Sequence, residues 1–318
     1  MPDLDNIHAR YQAALAKRAP YEAEWEECYA YALPHKLSSD KRAEALYDST
    51  AENGVANLAS SLLSQLTPPW SKWFGLTLGV DGAAAPSELE KYERILQSHF
   101  DRSNFYVEAH QAYLDLATLG TAVLLFEEAP VGEASAFNFR AVPMAEIALE
   151  EQNGKIESIF RRSYMSPCEL AARFGTRLTA RAEAASPDER IALVEAVTPR
   201  ITSTGAQGYN YVAFAEDAEH LLSPAARTVV KSGVFAHSPF IAFRWLKTPG
   251  ETYGRSPVMK AMADIKTANK VVELVLKNAS IAVAGVWQAD DDGVINLDNL
   301  VLAPGTIIPK AVGEALLF

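Results

Sequence analysis

The stretch that decides the fold is 253–287, which reads YGRSPVMKAMADIKTANKVVELVLKNASIAVAGVW. Ser256 is a good N-cap, and Pro257 stands at the first helical position, where its missing N–H costs nothing. Neither Pro nor Gly follows before Gly285. The spacing therefore predicts one helix of roughly 28 residues, about 42 Å long. An ordinary helix has about 11–12 residues, so this one is unusually long.

The predicted helix carries an apolar stripe and a polar stripe. The apolar positions recur at three-to-four spacing, and we expect them to pack between subunits: Val258, Met262, Ile265, Val272 and Leu276. The polar stripe is a candidate for a channel or inter-subunit face: Lys266, Lys270, Glu273 and Lys277. A long rod with one polar side suits a bundle, a coiled coil or a ring of identical subunits. A single long core helix in an α+β domain is the alternative interpretation of the same pattern.

Composition limits the class of protein. The chain has 318 residues, of which 49 % are hydrophobic and 22 % charged, as in folded proteins with two or three domains. No stretch approaches the roughly 18 apolar residues of a membrane helix, so we expect no membrane insertion. The two cysteines, Cys28 and Cys168, suggest neither a disulfide framework nor a zinc ribbon. A net charge of −11 argues against tight binding of nucleic acid. It does not argue against a channel wall past which DNA moves without binding, because an acidic surface repels phosphate.

Taken in order, the chain predicts an α+β fold with helices first and strands later. Residues 1–120 are α-rich, 121–250 are mostly β, 254–285 form the long helix and 286–318 return to short strands. Residues 4–33 predict one or two helices broken at Pro20. Ser49 and Glu52 have the spacing of a capping box at the start of the next helix. Trp70, Trp73 and Phe74 are core or inter-subunit anchors, and 76–78 alternates like a strand.

Catalytic signatures are mostly missing from the sequence. It contains no phosphate-binding loop, no dinucleotide fingerprint, no zinc-protease helix and no nucleophile elbow. No two histidines have metal-ligand spacing, so we predict no metal and no cofactor. His99 and His110 lie on either side of a predicted turn, and an enzyme with carboxylates near them remains the alternative function. By elimination, the chain is more structural than catalytic.

Three stretches resemble the head-to-tail connector (portal) proteins of short-tailed, T7-like bacteriophages. They are LYDSTAENGVANLASSLLSQLTPPWSKWFGL at 46–76, HQAYLDLATLGTAVLLFEE at 110–128 and FRWLKTPGETYGRSPVMKAMADIKTANKV at 243–271. Their order and spacing match that family over most of the chain. The residues that match its motifs are Asp48, Ser49, Thr50, Asn53, Pro68, Pro69, Tyr253, Gly254, Ser256 and Pro257.

The resemblance implies a structural virion protein without catalytic residues. It implies a ring, typically of twelve subunits, at one capsid vertex. The double-stranded DNA genome would be packaged and later ejected through the channel of that ring. Capsid and scaffolding proteins, the terminase motor and tail adaptors are the implied partners, and assembly occurs in the host cytoplasm. The fold would be portal-like: an α-rich wing, a mixed β segment, one stem helix and the start of a β-rich clip. A different virion protein, such as a head-tail adaptor, is the second alternative.

Members of the family continue beyond the position that corresponds to Phe318 with more of the clip, a second stem helix and a channel loop. The sequence ends instead in the apolar run 314–318, EALLF. We therefore expect a fragment or a truncated gene product.

Overall fold

A computed structural model describes residues 4–33, 46–77, 86–175, 190–201, 207–216, 229–285, 287–290 and 305–310. The fold is α+β, as predicted. Its helices of more than one turn within this part of the chain are α1 Leu4–Ala32, α2 Thr50–Leu66, α3 Pro86–Arg102, α4 Phe105–Leu119, α5 Pro167–Phe174 and α6 Pro257–Ala284. A short 3-10 helix covers Met144–Glu146.

Within the described residues, the strands form three sheets. A three-stranded antiparallel sheet has the order β2-β1-β8, a five-stranded antiparallel sheet runs β3 to β7 in sequence order, and β9 and β10 pair in parallel. Their bounds are β1 Thr121–Glu128, β2 Phe137–Val142, β3 Ile147–Gln152, β4 Lys155–Met165, β5 Ile191–Ile201, β6 Gln207–Glu216, β7 Lys231–Phe235, β8 Phe240–Arg244, β9 Trp287–Asp290 and β10 Ile307–Lys310.

Helix α1 is continuous, although the sequence predicted a possible break at Pro20. Its first half lies on one face of the five-stranded sheet, where the Tyr11 ring meets Phe160 at 5.7 Å. Its second half buries Trp25 and Cys28 in the central core. A proline inside a helix costs about 3 kcal/mol. Packing on both sides of Pro20 holds the helix together against that cost.

A central apolar core joins the predicted helical and β parts. It collects buried side chains from α1, α2, α4, α6 and from strands of both larger sheets, including Trp25, Leu119, Leu149 and Met262. The opposite face of the five-stranded sheet is covered near β5 by α5, through Leu170. Helix α5 begins at Ser166 with a capping box and ends at Gly175, as its sequence indicates.

Several local predictions are corrected by the structure. The Ser49 side chain makes no capping hydrogen bond at α2. Instead, the Asp48 carboxylate accepts from Thr50 N at 3.0 Å and Thr50 Oγ1 at 2.6 Å. Residues 76 and 77 are not in a strand, and residue 78 lies outside the described residues. Strands β9 and β10 lie in the region for which short strands were predicted, and Pro309 lies within β10. Most of 286–318 also lies outside the described residues.

Candidate assembly interface on the long helix

The base of α6 is built as the sequence predicted. Ser256 Oγ accepts from Met259 N at 2.9 Å, and Pro257 occupies the first turn. Tyr253, just before the helix, is completely buried. Its ring meets Trp25 edge-on at 5.0 Å, and its hydroxyl oxygen accepts from Leu149 N at 3.1 Å. Burial raises the pKa of Tyr253 to about 12, so the ring stays neutral and joins α1, β3 and α6.

Two glycines let the second and third motif stretches touch through their backbones. A Cβ on Gly254 would lie 2.2 Å from the carbonyl oxygen of Gly120. Gly120 also ends α4 with a φ of +78°, which favours glycine. The contact is held by Gly254 N, which donates to Thr121 Oγ1 at 2.8 Å in a buried position. The L-G-T and Y-G-R-S-P sequences therefore form one junction.

The first motif stretch reaches α6 through Asn269. This buried amide accepts from Tyr47 N at 2.6 Å and from Asp48 N at 3.1 Å. The segment that leads into α2 is thereby held against the middle of the long helix. All three motif stretches that carry the family resemblance thus meet around the first half of α6.

The remaining motif residues organise α2 rather than α6. Asn53 Nδ2 donates to Ser49 Oγ at 3.4 Å, across the first turn. Hydrogen bonds from Thr50 lower the pKa of the Asp48 carboxyl, which keeps it charged as an acceptor. Pro68 and Pro69 follow the last turn, and the Pro68 carbonyl accepts from Ser71 N at 3.4 Å. These residues set capping and chain direction.

The aromatic residues after α2 divide into two groups. Trp73 stacks on Phe105 at 5.6 Å and meets Phe74 and Phe100 edge-on, so Trp73 and Phe74 anchor this chain's own core. Trp70 is 73 % exposed. Of the three, only Trp70 remains a candidate for contact with another molecule.

The apolar stripe of α6 changes its environment along the helix. Val258 and Met262 are buried in the central core and Ile265 packs against it. This corrects their assignment to an interface between subunits, because the same chain already covers them. Val272 is half-buried and Leu276 is 51 % exposed. The predicted interface is thus reduced to these two positions.

The second half of α6 exposes more apolar surface than the stripe predicted. Val272 and Ile281 are half-buried. The other large apolar residues of this half are at least half exposed: Val271, Leu274, Val275, Leu276 and Val283. No helix or strand of the described residues covers them. So many exposed large apolar residues in one half of a helix are typical of contact with another molecule.

The polar stripe is paired within this chain. Lys266 Nζ lies 2.5 Å from Glu27 Oε1 of α1. Glu273 lies between Lys270 at 2.9 Å and Lys277 at 2.5 Å. Hydrogen bonds from these lysines lower the pKa of Glu273, and Glu273 raises that of Lys277. Lys266 therefore pairs with α1 at the protein surface, whereas the other three form a ladder with one net positive charge.

The histidines proposed for an enzyme site bind different elements. His99 Nδ1 accepts from Ala136 N at 3.2 Å, and His110 Nε2 lies 3.3 Å from Ser60 Oγ. Within the described residues, no group of three or more His, Cys, Asp or Glu side chains could hold a metal ion. None of the helices in that part of the chain is long and apolar enough to cross a membrane.

A family model described as "Bacteriophage head to tail connecting protein" matches residues 4–316, nearly the whole chain. The chain belongs to this family. It is 22 % identical over 282 residues to a probable portal protein of Bordetella phage BPP-1, which covers 81 % of this chain and 49 % of that relative. Identity is 22 % to the portal protein of Enterobacteria phage T3 and 21 % to that of Escherichia phage T7. These matches cover 96 % and 94 % of this chain, and 58 % and 57 % of the relatives. The chain thus spans about half the length of the curated relatives it matches.

The sequence did not identify two residues that join the connector's motif stretches. Asn269 lies between Ile265 and Val272, at a position where the three-to-four spacing of the stripe calls for an apolar residue. A polar side chain on a buried face needs a hydrogen-bond partner. That interruption of the stripe was the available signal. Thr121 follows Gly120 directly and gave no signal, because its partner, Gly254, is 133 residues away.

Proposed function

We propose that this connector-family chain is a portal subunit. Copies of it form a ring, of twelve subunits by the resemblance, at one vertex of the capsid. The double-stranded DNA genome is packaged and later ejected through the channel of that ring. The protein is a virion component assembled in the host cytoplasm, and it performs no catalysis itself. The proposal depends on one observation in this family member. Its 28-residue helix α6 is anchored in the chain's own core at its base, and its second half carries exposed apolar side chains.

The geometry of α6 supports a role as one element of a channel wall. Its first half is held by the central core and Asn269. Its second half carries the exposed apolar residues beside the Lys270–Glu273–Lys277 ladder. In a ring, head-to-tail neighbours cover the apolar side, around Val272 and Leu276, and the charged ladder faces the channel or the next subunit.

The proposed layout keeps the divisions of the sequence. Residues 1–120 and 121–250 form the helical and β-rich parts of the wing, 254–285 form the stem and 286–318 begin the clip. Capsid and scaffolding proteins contact the wing, and the terminase motor and tail adaptors contact the clip. DNA passes without sequence-specific binding, because a chain with a net charge of −11 repels phosphates.

The ring is tested by its oligomeric state. Sedimentation velocity and negative-stain images of the full-length protein at micromolar concentration should show a closed ring with a central hole. Val272→Asp and Leu276→Asp should each abolish the ring, because a buried unpaired carboxylate costs several kcal/mol at every copy of the interface. Far-ultraviolet circular dichroism should remain unchanged, since Leu276 is exposed in the single chain.

Thr267→Asp is the matched control on the same helix, because Thr267 lies on the side of α6 opposite Leu276. Its side chain is exposed and its hydroxyl donates to the Ala263 carbonyl, so the variant should assemble like the unmodified chain. A monodisperse monomer of the unmodified full-length protein would refute the ring. Normal assembly of Leu276→Asp would refute the packing proposed for α6 but not the ring.

The adaptor alternative is not favoured. A head-tail adaptor would be expected to form a compact bundle without a long helix, whereas this chain has a five-stranded sheet and a 28-residue helix. The family and the named relatives also favour a portal over an unrecognised enzyme.

A further inference from the structure

An open groove of about 610 Å³ lies away from α6, beside the five-stranded sheet. Four arginines line it, from β2, β4, α5 and the residue before β5: Arg140, Arg161, Arg173 and Arg190. Ser163 of β4 lies among them. Nothing in the proposed ring uses these residues, and a cluster of guanidinium groups in a concave surface is a typical oxyanion site.

The two inner arginines are neutralised within the chain. Arg161 pairs with Glu146 at 2.9 Å and with Glu195 at 3.4 Å, both measured from side-chain N to O. Arg173 pairs with Glu127 at 3.0 Å and with Glu195 at 3.3 Å. These pairs join β1, β4, β5 and α5, and of their members Glu146, Arg161 and Arg173 line the groove.

The two outer arginines keep their charge available. Arg140 is exposed and forms no ion pair within the part of the chain that the structure describes. Arg190 lies 3.3 Å from Glu169, but both side chains are more than half exposed. An exposed pair of this kind is weak and exchanges readily with another carboxylate. The rim of the groove is therefore positive.

Ser163 supplies the observation that points to a ligand. Only 6 % of this residue is exposed, and its Oγ has no hydrogen-bond partner among the described residues. A buried hydroxyl without a partner is destabilising, and native structures rarely leave one. An acceptor oxygen in the groove would satisfy it.

We propose that the groove binds a carboxylate side chain from an acidic protein segment. Arg140 and Arg190 would hold its two oxygens, since the planar guanidinium matches a carboxylate, and the Ser163 hydroxyl would donate to it. A protein carboxylate fits better than the phosphates of a duplex. Two of the four arginines are already paired with carboxylates, and Glu146 and Glu169 also line the groove, so it offers guanidinium groups for one carboxylate but not for a row of phosphates. This inference does not depend on the ring.

Isothermal titration of the full chain with a terminally blocked tetraglutamate peptide tests the proposal. We expect binding that weakens as NaCl is raised, and none by the matched tetraglutamine peptide. Arg140→Gln should weaken binding about tenfold, because it removes one charge-assisted hydrogen-bonding partner. Ser163→Ala should weaken it about threefold without lowering the urea midpoint of unfolding, since its hydroxyl has no partner to lose.

Arg94→Gln is the control variant, because Arg94 is an exposed arginine on α3 outside the groove, and it should bind like the unmodified chain. Equal binding of the two peptides, no binding of tetraglutamate at millimolar concentration, or an unchanged affinity of Arg140→Gln would overturn the proposal. Tighter binding of inorganic phosphate or of a short DNA duplex than of tetraglutamate would also overturn it, and would assign the groove to phosphate groups.

Discussion

Gly254→Ala tests whether the glycine junction holds the base of the long helix. The added Cβ would lie 2.2 Å from the Gly120 carbonyl oxygen and 3.0 Å from Arg244 Cβ. Ordinary contacts begin at 3.4 Å, so the two backbones must separate by about 1 Å. Neither is free to move, because Gly120 ends α4 and Gly254 lies two residues before Ser256, the N-cap of α6.

The energetic cost follows from the hydrogen bonds at this junction. Separation would stretch the buried bond from Gly254 N to Thr121 Oγ1, 2.8 Å long, and that from Trp245 N to the Gly120 carbonyl, 2.9 Å long. Leaving a buried polar group without its partner costs about 1–3 kcal/mol. With two such bonds strained, we expect Gly254→Ala to lower the free energy of unfolding by about 3–5 kcal/mol.

Urea unfolding followed by circular dichroism measures this loss against two control glycines. Gly54 lies inside α2 with nothing within 4 Å, so Gly54→Ala should stabilise by about 0.5–1 kcal/mol. Gly250 also has open space but a φ of +86°, so Gly250→Ala should cost only about 1–2 kcal/mol of backbone strain. If Gly254→Ala cost no more than Gly250→Ala, the junction would not be the rigid contact described here.

Two further predictions concern buried polar groups. Asn269→Leu should cost about 2–4 kcal/mol, because it leaves Tyr47 N and Asp48 N without an acceptor. Asn278→Leu, an exposed position on α6, should be nearly neutral in the same urea assay, and equal losses would contradict the role of Asn269. Burial raises the pKa of Asp115 to about 6, although Tyr29 Oη donates to its carboxylate at 3.0 Å. Since the folded state then holds the proton more tightly than the unfolded chain, Asp115 costs stability as pH rises from about 4 to 6. Asp115→Asn should therefore have a higher free energy of unfolding than the unmodified chain. We expect this advantage to be about 1 kcal/mol larger at pH 7.5 than at pH 5. An advantage that did not change with pH would refute that pKa.

Local sequence signals predicted the elements well. The α6 bounds follow from Ser256, Pro257 and Gly285. These signals act within one or two turns of the chain, so they need no knowledge of the fold. Predictions failed where distant packing outweighed local preference. Pro20 stays inside α1 for that reason. At α2 the competing group is local, because the carboxylate of the neighbouring Asp48 takes the place predicted for Ser49.

The candidate interface was only half predictable. The three-to-four spacing placed Val258, Met262, Val272 and Leu276 on one stripe, but spacing cannot show which part of a long helix the same chain covers. The core covers the first two and leaves Leu276 exposed. Likewise, Lys266 looked like a member of the polar stripe, but its partner Glu27 is on α1.

The sequence by itself determined the length and ends of the long helix, the order of helices and strands, and the resemblance to a portal family that the family model then showed. Each of these depends on neighbouring residues or on motif order, which a linear chain displays directly. Only the tertiary structure decided that the motif stretches meet through Gly120, Gly254 and Asn269, and that four arginines from separate elements share one groove. Those contacts join residues far apart in the chain, and their positions depend on how the shared apolar core closes.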